Sequence, residues 1–259
     1  MCFGSNGEVM TTNVIRRCAA FLYRTQRSTR STVGFLLRRR DAATVSGEFE
    51  TTGCLACDTN DIGRFVHGDL IKRTTSFPYP PNELMLMVSA VVSLRPSLII
   101  EWGTNIGVSA MVFARTCERY RVKAEIHSVD LPAKVGNFEN PGNRRGLLTV
   151  GTRVTLHEGD GVGTAEKIIR KRPGARLLVF VDGDHAEETV YREAMAIWNA
   201  SPTAAILFHD TFVPACGEIK VVHGPGRAVD RVVKENPGRF YVNSTSLGRP
   251  GMTLCVPRC

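Results

Sequence analysis

The chain has no apolar run of the roughly 18–20 residues needed to span a bilayer. Its longest candidate, Leu84 to Leu94, is too short and reads as a buried helix. A secretion signal is missing as well, since only CAAFLY separates Arg16 and Arg17 from further arginines, so a cytoplasmic protein is expected. The eight cysteines lack the spacing of a disulfide framework and read as reduced thiols. Cys54 and Cys57 form a lone CxxC with His67 as the nearby third donor, and no second pair completes the four ligands of a structural zinc. No internal repeat is visible. Acids are nearly absent from residues 1–40, where eight arginines face Glu8 alone, so most of the net +8 charge sits there. The near-neutral remainder argues against an enzyme body built to bind nucleic acid.

What is present is a chain of 259 residues with 43% hydrophobic content, enough for one large α/β core. Residues 1–45 read as a basic N-terminal arm rich in Arg, Ser and Thr, free to touch a surface or a polyanion. Residues 46–81 read as an irregular linker or lid closing on FPYPP. From Asn82 to the C-terminus, residues 82–259, helical and extended patterns alternate. Asn82 is placed to cap a helix through Leu94. Strands are expected at Leu98–Glu101, Ala124–Asp130, Arg153–Glu158, Leu177–Asp182 and Ala204–His209. Helices are expected at Ile106–Tyr120, Gly163–Lys171, Glu187–Asn199 and Arg227–Lys234. Phe240–Asn243 and Met252–Val256 are close enough for an antiparallel hairpin. The sum is a doubly wound, mainly parallel α/β sheet, Rossmann-like, ending in that hairpin.

Ligands in such sheets bind beyond the C-terminal strand ends, near the switch in strand order. The first strand runs into EWGTNIGVSA, where Gly103 and Gly107 permit a tight turn and close ligand approach. The loop lacks the third glycine of the dinucleotide fingerprint, which counts against NAD. Asp130 ends the second strand, where a carboxylate can accept both hydroxyls of a ribose. Asp160 follows the third, where one can take the amino group of adenine. The fourth strand ends in VDGDH and the fifth in FHDT. Asp182, His209 and Asp210 therefore come from adjacent strand ends, and two carboxylates with an imidazole suit a divalent cation. The alternative is that Asp184 and Asp210 cap the segments that follow and His209 is a satisfied core histidine.

In order, RPSLIIEWGTNIGVSA, SVD, GDG, FVDGDH and FHDT resemble the class I S-adenosylmethionine-dependent methyltransferases. The nearest resemblance is to the cephalosporin-hydroxylase-like, rhamnosyl and macrocin-type O-methyltransferases, over about Asn82 to Val256. It implies S-adenosylmethionine at Glu101, Gly103, Thr104, Gly107, Ser109, Asp130, Asp160 and Asp182. It implies Mg2+ on Asp182 and Asp210, with His209 standing where relatives often carry an acid. It also puts His185, three residues past Asp182, where a general base acts, a role that suits a neutral imidazole.

The expected function is methyl transfer to a hydroxyl of a small molecule or sugar, with a divalent metal assisting. Two rivals stay open: methylation of RNA or another polyanion through the basic arm, and a non-catalytic adenosylmethionine-binding protein. The first lacks the NPPY-type motif of amino methylation after the fourth strand, since PYPP at Pro78 to Pro81 precedes the first strand. Self-association is left open by the sequence.

Overall fold

A computed structural model describes residues 57–74, 79–132, 134–135, 141–212, 224–245 and 250–258. The basic arm and Cys54 lie outside the described residues. In chain order the elements begin with α1 (Thr59–Phe65), a π-helical stretch (Val66–Leu70) and α2 (Ile71–Thr74). Then come α3 (Pro81–Leu94), β1 (Leu98–Trp102), α4 (Val108–Arg119), β2 (Glu125–Asp130), β3 (Val154–Glu158) and α5 (Gly161–Arg170). The chain continues through β4 (Leu177–Val181), α6 (Glu187–Ala200), β5 (Ala205–His209), α7 (Gly224–Glu235), β6 (Phe240–Ser244) and β7 (Met252–Pro257).

The seven strands lie in the order β3-β2-β1-β4-β5-β7-β6. The first five are mutually parallel; β7 runs antiparallel to both β5 and β6. The order reverses between β1 and β4, the crevice where such sheets take ligands. Helices α1, α3 and α4 cover one face, over a core that includes Ile99, Phe180 and Leu207. Helices α5, α6 and α7 cover the other, over Ile100, Val179 and Phe208. Central strands buried on both faces are what a parallel sheet requires, and β1, β4 and β5 are buried at every position. Among the described residues, no helix is long and apolar enough to cross a membrane.

Two local expectations are corrected. Residues 59–74, expected to be irregular, are helical. Asp58 accepts the backbone N–H groups of Asn60 and Asp61, an N-cap that starts the segment. Ile62, Phe65, Val66 and Leu70 form its buried stripe, and the residue types that suggested a loop stand between them at Gly63, Gly68 and Asp69. The second correction concerns Asn82. Pro80 is the cap of α3 and Pro81 its first residue, a position where the missing N–H costs nothing. Glu83, in that first turn, is fully buried.

Candidate active site

The two-residue period of a strand decides which groups meet. Ser128 follows Ile126 by two positions, Glu101 follows Ile99, Asp182 follows Phe180, and His209 follows Leu207. All four apolar residues belong to the core under α1, α3 and α4. Their polar successors therefore line the same face at the C-terminal strand ends. Helix α3 crosses that face and brings Glu83, while the segment before it brings Tyr79.

Around β1 the arrangement is a buried polar chain. Thr104 Oγ1 lies 2.6 Å from Ser128 Oγ, whose single proton goes to Glu101 Oε1 at 2.6 Å, so the threonine is the donor. Glu101 is fully buried, and its Oε2 has no hydrogen-bond partner among the described residues. Burial pushes its carboxyl up to about 8, against the lowering effect of hydrogen bonds from Ser128 and Ser109, with Asp182 and Asp130 adding repulsion. Gly103, at φ +90°, passes so close to the Asp182 backbone that a side chain would collide with it. Gly107 is the N-terminal cap of α4 and Ser109 lies buried in its first turn. Asp130 is held by backbone donors, Oδ1 by Leu131 N at 2.8 Å and Oδ2 by Asn105 N at 3.1 Å, with Arg145 Nε 3.6 Å away. Asp160 caps α5, accepting Gly163 N at 2.6 Å through Oδ2. A capping role thus explains this acid without a ligand.

At β4 and β5 the expected trio assembles. Single ligand atoms of Asp182, His209 and Asp210 lie within 4.8 Å of one another. His209 is 5% exposed, with Nδ1 2.8 Å from Asp182 Oδ1 and Nε2 3.2 Å from Glu83 Oε2, itself a 1%-exposed side chain. Burial works against its charged form, but the charge and hydrogen bond of Asp182, the Glu83 hydrogen bond and Asp210 outweigh it and push the imidazole up to about 10. Tyr79 donates its hydroxyl to Asp182 Oδ2 at 2.5 Å. Its own acidity is suppressed, by burial first and then by that carboxylate. Asp210 sits in the left-handed region at φ +54°, a strained backbone of the kind that gathers at functional sites. His185 is 47% exposed and places Nδ1 2.8 Å from Asp210 Oδ2. Asp184, by contrast, turns its carboxylate back to Ala186 N, the local capping role.

All the expected site residues therefore lie along one edge of the sheet, and Tyr79, Glu83, Ser128 and Arg145 join them unannounced. Ser128 was open to detection, being the register partner of Glu101. Glu83 had a weak signal as the only charge in ELMLMV, and Tyr79 had none beyond its place in a proline-flanked turn. Cys57 is half-buried, with Sγ 3.5 Å from Ser89 Oγ. A groove of about 1300 Å³ opens at the opposite edge, past Leu98, Arg176 and Arg258. It lies at the N-terminal strand ends, away from every group described above.

Two groups implied by the resemblance can be tested against these residues. A fully buried acid with one empty oxygen fits the ammonium of an amino-acid moiety, as adenosylmethionine carries. The trio fits a divalent cation: two carboxylate oxygens and an imidazole nitrogen converge, and a buried carboxylate orients the ring.

A family model described as a methyltransferase domain matches residues 100–211. No curated protein matches the chain. Among solved structures, the chain is similar to the SAH-bound methyltransferase PaMTH1 of Podospora anserina, at 17% identity and a TM-score of 0.51, over 88% of this chain and 96% of that one. It is similar to an O-methyltransferase of Bacillus cereus in complex with SAH, at 14% identity and a TM-score of 0.49, over 85% and 96%. It also resembles CalS11, a TDP-rhamnose 3′-O-methyltransferase of calicheamicin biosynthesis, at 18% identity and a TM-score of 0.44, over 78% and 96%. At 17% identity the likeness to the Podospora anserina structure is one of fold.

Proposed function

We propose that the chain is a class I S-adenosylmethionine-dependent methyltransferase, a reading supported by the methyltransferase-domain match over residues 100–211, and that it methylates a hydroxyl of a small molecule or sugar at the Asp182–His185–Asp210 edge. The observation that carries this reading is the joining of two polar sites on one sheet face. Glu101, with its empty buried oxygen, suits the donor, and it feels the charge of Asp182 from the second site. Glu101 would receive the methionine ammonium, Asp130 the ribose hydroxyls, and the Gly103–Gly107 loop would let the ligand approach the backbone.

His185 is the base. With Nδ1–H donating to Asp210, Nε2 keeps its lone pair, and Asp210 stabilises the imidazolium that forms. His185 Nε2 takes the hydroxyl proton as the oxygen–carbon bond forms and the sulfur–methyl bond breaks, the electron pair leaving on sulfur. Much of the acceleration comes from holding donor and acceptor in line. Asp182, Asp210 and His209 Nδ1 would hold a divalent cation beside the acceptor oxygen. Such an ion supplies Lewis acidity that lowers the hydroxyl pKa.

The test is a methyl-release assay over a panel of hydroxylated acceptors, run with and without EDTA. Turnover with at least one of them, lost in EDTA and restored by a divalent ion, is expected. Methylation of RNA with no turnover of small hydroxyls would overturn the substrate class, and turnover untouched by EDTA would remove the metal.

A further inference from the structure

The identity of the divalent ion follows from how its three holders are themselves held. Each is oriented by a neighbour outside the trio through one of its heteroatoms. Tyr79 occupies Asp182 Oδ2 at 2.5 Å, Glu83 meets His209 Nε2 at 3.2 Å, and His185 meets Asp210 Oδ2 at 2.8 Å. Asp182 Oδ1, His209 Nδ1 and Asp210 Oδ1 face one another, with Nδ1 hydrogen-bonded to Asp182 Oδ1 at 2.8 Å and 3.8 Å from Asp210 Oδ1. The imidazole cannot readily leave this set. Its partner Glu83 is locked in turn, Oε1 accepting Gly251 N at 2.7 Å. Tyr79 packs against the ring with centroids 4.9 Å apart and Phe180 at 6.3 Å.

Resting on the metal reading above, we propose that this site selects a borderline first-row transition ion of the Co2+ or Zn2+ kind over Mg2+. The selecting group is the His209 nitrogen, and Glu83 is the residue that positions it. Magnesium demands an octahedral shell of hard oxygens and sheds water reluctantly, so a fixed nitrogen in one of three protein positions counts against it. Imidazole with carboxylates suits the transition ions. A carboxylate that accepts the far N–H of a ligating histidine fixes its tautomer and raises its basicity, and removing such a partner costs about 10–100-fold in metal affinity.

The experiment uses the full chain, stripped with EDTA and titrated with CoCl2 while ligand-field absorption is followed, then challenged with MgCl2. Thermal melts accompany every variant. The wild type should bind one cobalt ion that equimolar magnesium does not displace, and the signal should vanish in Asp182→Ala. Glu83→Gln should stay folded and bind cobalt about 10-fold or more weaker. His209→Asp should move the cobalt-to-magnesium affinity ratio at least about tenfold toward magnesium. Displacement by equimolar magnesium, or an unchanged ratio in a folded His209→Asp, overturns the selectivity while leaving a metal site. A signal that survives in Asp182→Ala, or no binding of either ion, removes the metal reading and the inference with it.

Discussion

Glu101 and His209 are two buried groups in opposite situations. Glu101 binds its proton more tightly in the folded protein, about 8 against 4.5, so folding takes up protons between those values. Stability therefore falls as pH rises from about 4.5 to about 8. His209 is raised from 6.5 to about 10, so its contribution is full below about 6.5 and is lost as pH climbs through 10. Both push the same way. The ligand-free protein should melt at progressively lower temperature from pH 5 to pH 9, and Glu101→Gln should flatten the part below pH 8. A melting temperature that rises over this range would contradict the burial of an unpaired Glu101. His185 has little structural duty at 47% exposure. His185→Ala should keep its melting point and its adenosylmethionine affinity but lose roughly 10²–10⁴-fold in turnover, the usual share of a positioned base.

At the scale of elements, α3 ties the candidate site to the sheet. Its Glu83 bridges the C-terminal hairpin, through Gly251 N, and β5, through His209. Removing one member of such a buried pair leaves an uncompensated charge, so Glu83→Ala should cost about 3–5 kcal/mol in chemical denaturation. A loss below 1 kcal/mol would mean that water reaches His209 freely. Helix α5 offers a second check, because Asp160 is its N-cap. Asp160→Ala should cost about 0.5–2 kcal/mol, and Asp160→Asn should restore most of it. If both variants also lose cofactor affinity, the acid serves the ligand as well as the helix. The strand ends were legible in the sequence because a two-residue period and a change to polar residues mark them. The helix at residues 59–74 was not. Its stripe of Ile62, Phe65, Val66 and Leu70 is correctly spaced, but Gly63 and Gly68 and the polar residues between outweigh it in local propensity, and burial decides the outcome.

For the whole molecule, a mainly parallel sheet closed by an antiparallel hairpin follows from the alternation of strands and helices and could be read before any coordinates, whereas the strand order could not. Nor could contacts that depend on long-range packing. Glu83 meets His209 across 126 residues and Tyr79 meets Asp182 across 103, so neither partner has a local signature. These contacts turn three ligand candidates into an oriented set. The central claim is that donor and acceptor sites share one face, with Glu101 taking the cofactor's ammonium. Calorimetric titration of the full chain and of Glu101→Gln with adenosylmethionine tests it most directly. The wild type should bind one equivalent, and the variant should bind at least about tenfold more weakly, since a charge-assisted contact of roughly 1.5–3 kcal/mol is lost. Equal affinity in a folded Glu101→Gln would contradict it.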